Sequence, residues 1–365
     1  MKYRLYIGTY TEPIKFGTGE ILQSKGKGII AADFNAEDGK LEIIHVNEGI
    51  ENPSFLTLNS DGTYLFAVNE LKVWEAAESG TVSSFKVERE SGRLEFLSRR
   101  LTYGTDPCHV AVANDDRTLY VSNFMSGSVC VLPILEDGSL SEASQRIQHT
   151  GSSLHPLRQK GPHAHSCIFD QEGKYAIVPD LGIDKLMVYQ VDERDGSLLE
   201  PSTEIELPKG YGPRSGCFNK AGNRCYIIQE LASGITVYEY QMERSIFREL
   251  QYISSIPKED SGDNICAHIQ MTPDEKFLFG SNRGHDSIVT YKINEEDGTL
   301  TYLRTQSCMG KTPRHFSIDP TGRYLLVANQ DTDQIITFRI NQDTGELKKV
   351  NETAMGTPVC IRFVS

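Results

Sequence analysis

Apolar residues in this chain come in short alternating runs broken by turn residues, not in the three-and-four spacing of amphipathic helices. Gln334-Ile335-Ile336-Thr337-Phe338-Arg339-Ile340 and Lys185-Leu186-Met187-Val188-Tyr189-Gln190-Val191 alternate as half-buried strands do. No stretch of about ten residues sustains a helical period. The runs also repeat as a unit. Thr312-Pro313-Arg314-His315 leads to Asp319-Pro320-Thr321-Gly322 and then Tyr324-Leu325-Leu326-Val327-Ala328-Asn329. Asn52-Pro53 leads likewise to Asp61-Gly62 and Tyr64-Leu65-Phe66-Ala67-Val68-Asn69, and Pro213 with Gly222 keeps the same offset. Asp106-Pro107 opens a copy with Asp116 at the glycine position. Pro162 opens one with two extra residues before Gly173, and Ala267-His268 belongs to one without the leading proline.

Each unit reads as a strand, a hairpin turn, a second strand and a third alternating strand. A second hairpin signal follows at Asp38-Gly39, Ser91-Gly92, Asp137-Gly138, Asp195-Gly196, Asp297-Gly298 and Thr344-Gly345, ahead of a short fourth strand such as Leu300-Thr301-Tyr302-Leu303. Four strands at a period of roughly 45–55 residues predict propeller blades, not a solenoid. First strands begin near Pro53, Pro107, Pro162, Pro213, Ile265, Pro313 and Pro358, which makes seven. Tyr3 to Thr9 reads as a second strand with no first, and residues 357–364 as a first strand with nothing after it. Side by side they complete a blade and remove two open sheet edges. The expected architecture is all-β: one seven-bladed β-propeller domain over residues 1–365, four antiparallel strands per blade, with one blade closed by the N- and C-terminal strands.

Composition adds limits. The 31 Gly and 15 Pro are spread along the chain, as many turns require. A net charge of −13 argues against nucleic acid and against an anionic membrane surface as partners. No run approaches the roughly 20 apolar residues that span a bilayer. Met1 to Gly8 has no apolar signal region, so a cytoplasmic protein is expected. The eight Cys are scattered, without C-x-x-C or metal-type spacing, which predicts buried reduced thiols and no metal. Oligomeric state is left open between a monomer and a weak dimer.

In a propeller the first strand of each blade lines the central channel, and its start lies beside the end of the second strand. Side chains at these two places converge on one mouth. The starts supply Ser54, Cys108, His163, His165, Arg214, His268, Arg314 and His315. The ends supply Thr9, Asn69, Glu70, Asn123, Asp180, Gln229, Glu230, Asn282, Arg283, Asn329 and Gln330. Asn123, Asp180 and Asn329 read as ordinary turn chemistry, and Arg214 with Glu230 also reads as a self-neutralising channel pair. The convergence of histidines, arginines and a glutamate nonetheless costs desolvation that folding does not need, which marks a candidate site.

At these residues the chain resembles the lactonase family of seven-bladed propellers, which includes the 6-phosphogluconolactonases of propeller type and the carboxy-muconate lactonising enzymes. The resemblance runs from Tyr6-Ile7-Gly8-Thr9-Tyr10-Thr11 to the closing strand. Its most specific segments are Gly161-Pro162-His163-Ala164-His165-Ser166 with Pro179-Asp180-Leu181-Gly182, and Gly212-Pro213-Arg214 with Gln229-Glu230-Leu231. Ser281-Asn282-Arg283 and Thr312-Pro313-Arg314-His315 also match, whereas Ile265-Cys266-Ala267-His268 lacks the Pro-Arg of its neighbours. The resemblance implies His165, Arg214, Glu230 and Arg283 as catalytic residues. We add His163, Asn69, Glu70, His268, Arg314 and His315 as substrate-binding residues from their places on the ring.

The implied reaction is hydrolysis of a sugar lactone, 6-phosphogluconolactone to 6-phosphogluconate in the pentose phosphate pathway, with no cofactor. Such a reaction needs a base for the attacking water and a donor for the oxyanion. His165 suits the base; Glu230 either orients that imidazole or takes the proton itself. Arg214 and Arg283 suit the oxyanion and a phosphate. Neither G-x-S-x-G nor H-E-x-x-H occurs, so neither an acyl-enzyme nor a required zinc is expected. Two other readings stand beside this one: a cyclase running a lactone reaction in reverse, and a non-enzymatic sugar- or protein-binding propeller. The latter calls for an apolar mouth, which only Trp74 suggests. The extra residues before Gly173 predict a bulge that re-aims one of His163 and His165.

Overall fold

Residues 1–15, 19–260 and 262–364 are described by a computed structural model. They form seven four-stranded antiparallel sheets and one additional two-stranded hairpin, Ile14–Lys15 with Ile21–Leu22. Blade one comprises Phe55–Leu58, Tyr64–Asn69, Thr81–Val87 and Leu94–Leu101. Five further sheets follow in chain order. Blade seven joins Pro358–Phe363 to Lys2–Thr9, Ile29–Asn35 and Lys40–Asn47. The closing strand pairs antiparallel with the N-terminal one, Leu5 opposite Phe363 and Ile7 opposite Ile361. The expected propeller, its blade count and its mode of closure are all present.

Second and third strands are buried on both faces because each blade is sandwiched between two others. Phe277, Phe279, Phe316 and Phe338 fill the space between blades five and six, and Tyr6, Leu65, Ala67 and Phe85 that between blades seven and one. Burying such side chains stabilises the fold by about 1.5–3 kcal/mol each. The Asp-x-x-Gly turns work as their sequence suggests. Asp319 Oδ1 accepts from the amides of Arg323 and Tyr324 (2.9 and 2.7 Å), while Gly322 adopts φ 72°, a conformation that suits a residue without Cβ.

One junction recurs in the blades and positions the site. The residue after the second strand donates its amide to the residue before the first strand. Glu70 donates to Asn52, Phe124 to Asp106, Leu181 to His163, Glu230 to Gly212, Gln330 to Thr312 and Tyr10 to Thr357, over 2.7–3.1 Å. A one-residue bulge follows in the first strand, between Pro107 and His109, Pro213 and Ser215, and Pro313 and His315. The bulged residues Cys108, Arg214 and Arg314 turn toward the channel.

This alters the expectation for blade three. Ala164 bridges Asp180 while Ile168 pairs with Ile177, which is the same one-residue shift. The bulge therefore belongs to the repeat and is not made by the two extra residues. Those residues instead move Pro162 ahead of the strand. They leave His163 at the junction and put His165 in register with Cys108, Arg214 and Arg314.

Candidate functional site

The channel mouth opens into a cavity of about 540 Å³. Its floor carries His165, Glu230, Arg283, Arg314, Glu70 and Cys108. Phe124, Asp106 and Arg158 form part of the wall, and the Ile14–Leu22 hairpin contributes Ile14, Lys15, Ile21 and Leu22.

Glu230 is the electrostatic centre. It begins the turn after its blade's second strand, where the junction bond to Gly212 aims it inward, and only 1% of it is exposed. Arg214 Nε and Arg283 Nη2 reach its Oε2 at 2.9 and 2.8 Å, and Arg158 Nη2 binds Oε1. Burial alone would raise its carboxyl. The charges of Arg283, Arg158 and Arg214 outweigh burial and hold it well below the usual carboxylate range. The arginines are steadied in turn, Arg283 by the Cys266 carbonyl at 2.9 Å and Arg214 by that of Ala267.

His165 Nε2 lies 3.8 Å from Glu230 Oε2, too far for a direct hydrogen bond. On its other side Nδ1 faces Cys108 Sγ at 3.6 Å, and that thiol sits 3.3 Å from the His165 carbonyl. The thiol donates to that carbonyl, and Nε2 is the ring nitrogen on the carboxylate side. Burial first, then Arg214, pushes the imidazole well below its ordinary range, so it is neutral near pH 7.

A second group lies at the same mouth. Tyr10 Oη donates to Glu70 Oε2 at 2.9 Å, and Arg314 approaches that oxygen at 3.9 Å with its guanidinium 5.4 Å from the Tyr10 ring. Among the described residues no acceptor takes a hydrogen bond from Arg314, so its donors are free for a ligand. Lys72 Nζ reaches Asp106 Oδ2 at 2.9 Å. Among the described residues no three His, Cys, Asp or Glu side chains are grouped to hold a metal ion.

Five of the expected site residues, His165, Glu230, Arg283, Glu70 and Arg314, therefore share one cavity, and Arg214 supports Glu230 from the channel side. The other four lie elsewhere. Asn69 is fully buried, its amide donating to the Glu51 carbonyl and its oxygen accepting from Thr81 and Ser83. It ends the strand one residue before the position that faces the mouth. His163 stacks on Phe124 at 4.5 Å with Nδ1 2.8 Å from that residue's carbonyl, behind the wall. His268 and His315 stack on each other at 3.9 Å one layer deeper in the channel, beside a void of only about 20 Å³. Asp106, Arg158, Phe124, Tyr10 and the hairpin were not anticipated. Phe124 and Tyr10 occupy the repeat position of Glu70 and Glu230, which aligning the copies one residue further would have exposed. Arg158 comes from the connection ahead of blade three, outside the repeat. Trp74, the residue that hinted at an apolar mouth, lies under Arg99 at 3.3 Å.

Comparison with known proteins identifies the family. A family model for seven-bladed β-propeller lactonases matches residues 4–363. The chain is 33% identical to a 6-phosphogluconolactonase of Bacillus subtilis over 86% of its own length and 84% of that protein. It is 31% identical to a 6-phosphogluconolactonase of Formosa agariphila, over 86% and 85%. The structure of a periplasmic gluconolactonase from Pseudomonas aeruginosa superposes with a TM-score of 0.92 at 32% identity, covering all of this chain and 99% of that one. The chain belongs to the lactonase family of seven-bladed β-propellers.

Proposed function

We propose that this protein hydrolyses a sugar δ-lactone to the open-chain aldonic acid, with 6-phosphogluconolactone as its substrate and hence a step of the pentose phosphate pathway. The observation that carries the reading is a buried imidazole, His165, 3.8 Å from a carboxylate held by three arginines, in a cavity also lined by the Arg314 guanidinium. Water beside His165 gives a proton to Nε2 as its oxygen attacks the lactone carbonyl. The imidazolium that forms lies next to Glu230, which stabilises it. Glu230 itself is a poor proton acceptor, because three arginines stabilise its ionised form. Arg314 and Arg283 stabilise the oxyanion. Collapse breaks the ring C–O bond, and the imidazolium returns its proton to the leaving alkoxide, so that one water is consumed and His165 is restored.

A cytoplasmic setting is supported by the eight cysteines, all unpaired thiols. No helix among the described residues is long and apolar enough to cross a membrane.

One observation favours a second reading, the unphosphorylated lactone. Glu20, Glu70, Asp106, Glu230, Asp263 and Asp331 line the cavity against Lys15, Arg158, Arg283 and Arg314. An anionic phosphate thus enters past an acidic rim, with Lys15 as its partner. Measuring kcat/KM for 6-phosphogluconolactone and glucono-δ-lactone side by side decides between them. Preference for the phosphate ester supports the first reading, and preference for the neutral lactone supports the second.

A further inference from the structure

The residue before the first strand adopts a left-handed conformation in five blades: Asn52, Asp106, Gly212, Thr312 and Thr357, at φ 40°, 51°, 61°, 56° and 40°. Such a backbone favours Gly, Asn and Asp, so its geometry alone explains why an Asp is tolerated. What the side chain does differs between blades. Asn52 Oδ1 accepts from the amides of Thr11 and Glu12, both at 2.9 Å. Thr357 Oγ1 accepts from the Lys25 amide at 2.9 Å, and Thr312 Oγ1 donates to Asp331. In these blades the side chain ties down the chain itself. Among the described residues the Asp106 carboxylate caps no backbone amide.

Asp106 is 93% buried, being 7% exposed, yet it lines the cavity. Its charged partner is Lys72, on Oδ2. Among the described residues nothing donates to Oδ1. Burial, followed by the nearby charge of Glu70, raises its carboxyl to about 6, as befits an anion short of partners. Lys72 offsets only part of the desolvation cost of keeping this carboxylate near Glu70. A polyhydroxylated ring is the ligand that recovers the rest, because its hydroxyls supply donors at no cost in charge.

We propose that Asp106 is a specificity-determining residue whose carboxylate accepts hydrogen bonds from the hydroxyls of the lactone ring, from the blade next to that of His165. The assignment rests on the lactone-hydrolysis reading and narrows its substrate class to hydroxylated lactones. A site that binds hydroxyls disfavours an analogue that lacks them, because the hydrogen bonds to Oδ1 are then lost.

The test compares glucono-δ-lactone with δ-valerolactone, the same ring without hydroxyls, in the wild type, Asp106→Asn and Asp106→Gly. Asn and Gly already occupy this junction in blades one and four, so both variants suit the backbone. The ratio of kcat/KM for glucono-δ-lactone over δ-valerolactone is expected to fall at least about tenfold in Asp106→Gly. Asp106→Asn, which keeps a neutral acceptor, falls in between. A ratio equal to wild type in both variants overturns the proposal, as does a parallel loss on the two lactones. If Asp106→Gly lowers the melting temperature, Asp106→Asn carries the comparison alone. A wild-type protein that accelerates neither lactone overturns the hydrolase reading instead.

Discussion

At the scale of single residues, the mouth depends on one buried carboxylate. Glu230 has 2% side-chain exposure and is in contact with three guanidinium groups. Breaking a buried ion pair from one side typically costs about 3–5 kcal/mol, because uncompensated charge stays behind. Glu230→Gln leaves Arg158, Arg214 and Arg283 facing a neutral amide. It is expected to lose stability of that order in urea denaturation as well as activity. Unchanged stability would mean that the arginines are satisfied elsewhere. His165 behaves differently, since it is neutral already. A base works in its unprotonated form, and burial with Arg214 places its titration well below the ordinary imidazole value of about 6.5. The value of kcat/KM on a lactone, which reports the free enzyme, should therefore show no decline centred on that ordinary imidazole value. A decline centred near 6.5–7 would contradict the account.

At the scale of elements, the site is a by-product of the repeat. Most blades offer one residue after the second strand and one at a bulge of the first. Both point to the same mouth, so chemistry is acquired by substituting side chains at equivalent positions. This is why so much was legible in the sequence. The Pro-to-Gly spacing showed the blades, and Arg214, Glu230, Arg283 and Arg314 fell at their starts and ends. Asn69 was misplaced by a single residue, because strand alternation reverses facing at each step and no turn residue marks where the strand stops. His163 was misread because Pro162 looks like the strand-opening proline of other blades, although Ala164 takes that register. Arg158 was out of reach, since its approach to Glu230 is a tertiary contact across 72 positions of sequence. Closure can be tested at this scale too. The 358–363 strand supplies the channel-lining edge of blade seven, and Val359 and Cys360 are buried in its packing. Deleting residues 357–365 exposes the 2–9 strand and should abolish cooperative unfolding. A truncated protein that stays monomeric with an unchanged melting temperature would contradict the closure.

At the scale of the whole molecule, a net charge of −13 surrounds a mouth that concentrates arginines around a glutamate. Internal pairing makes this affordable: Glu230 answers three arginines, Glu70 faces Arg314, and Asp106 holds Lys72. What remains uncommitted is a neutral imidazole, the Arg314 donors and one oxygen of Asp106. That remainder fits a neutral carbonyl becoming an oxyanion on a hydroxylated ring. The ring of seven blades brings these groups to one mouth. The account turns on His165 as the base, and His163, two residues away and behind Phe124, is its internal control. The most direct test is acid release near neutral pH from 6-phosphogluconolactone and glucono-δ-lactone, corrected for spontaneous hydrolysis, by the wild type, His165→Ala and His163→Ala. The wild type should accelerate at least one lactone, His165→Ala should lose at least about 100-fold of that with little change in melting temperature, and His163→Ala should lose much less. A wild type no faster than the spontaneous reaction, or a His165→Ala variant within a few-fold of it, would contradict the account.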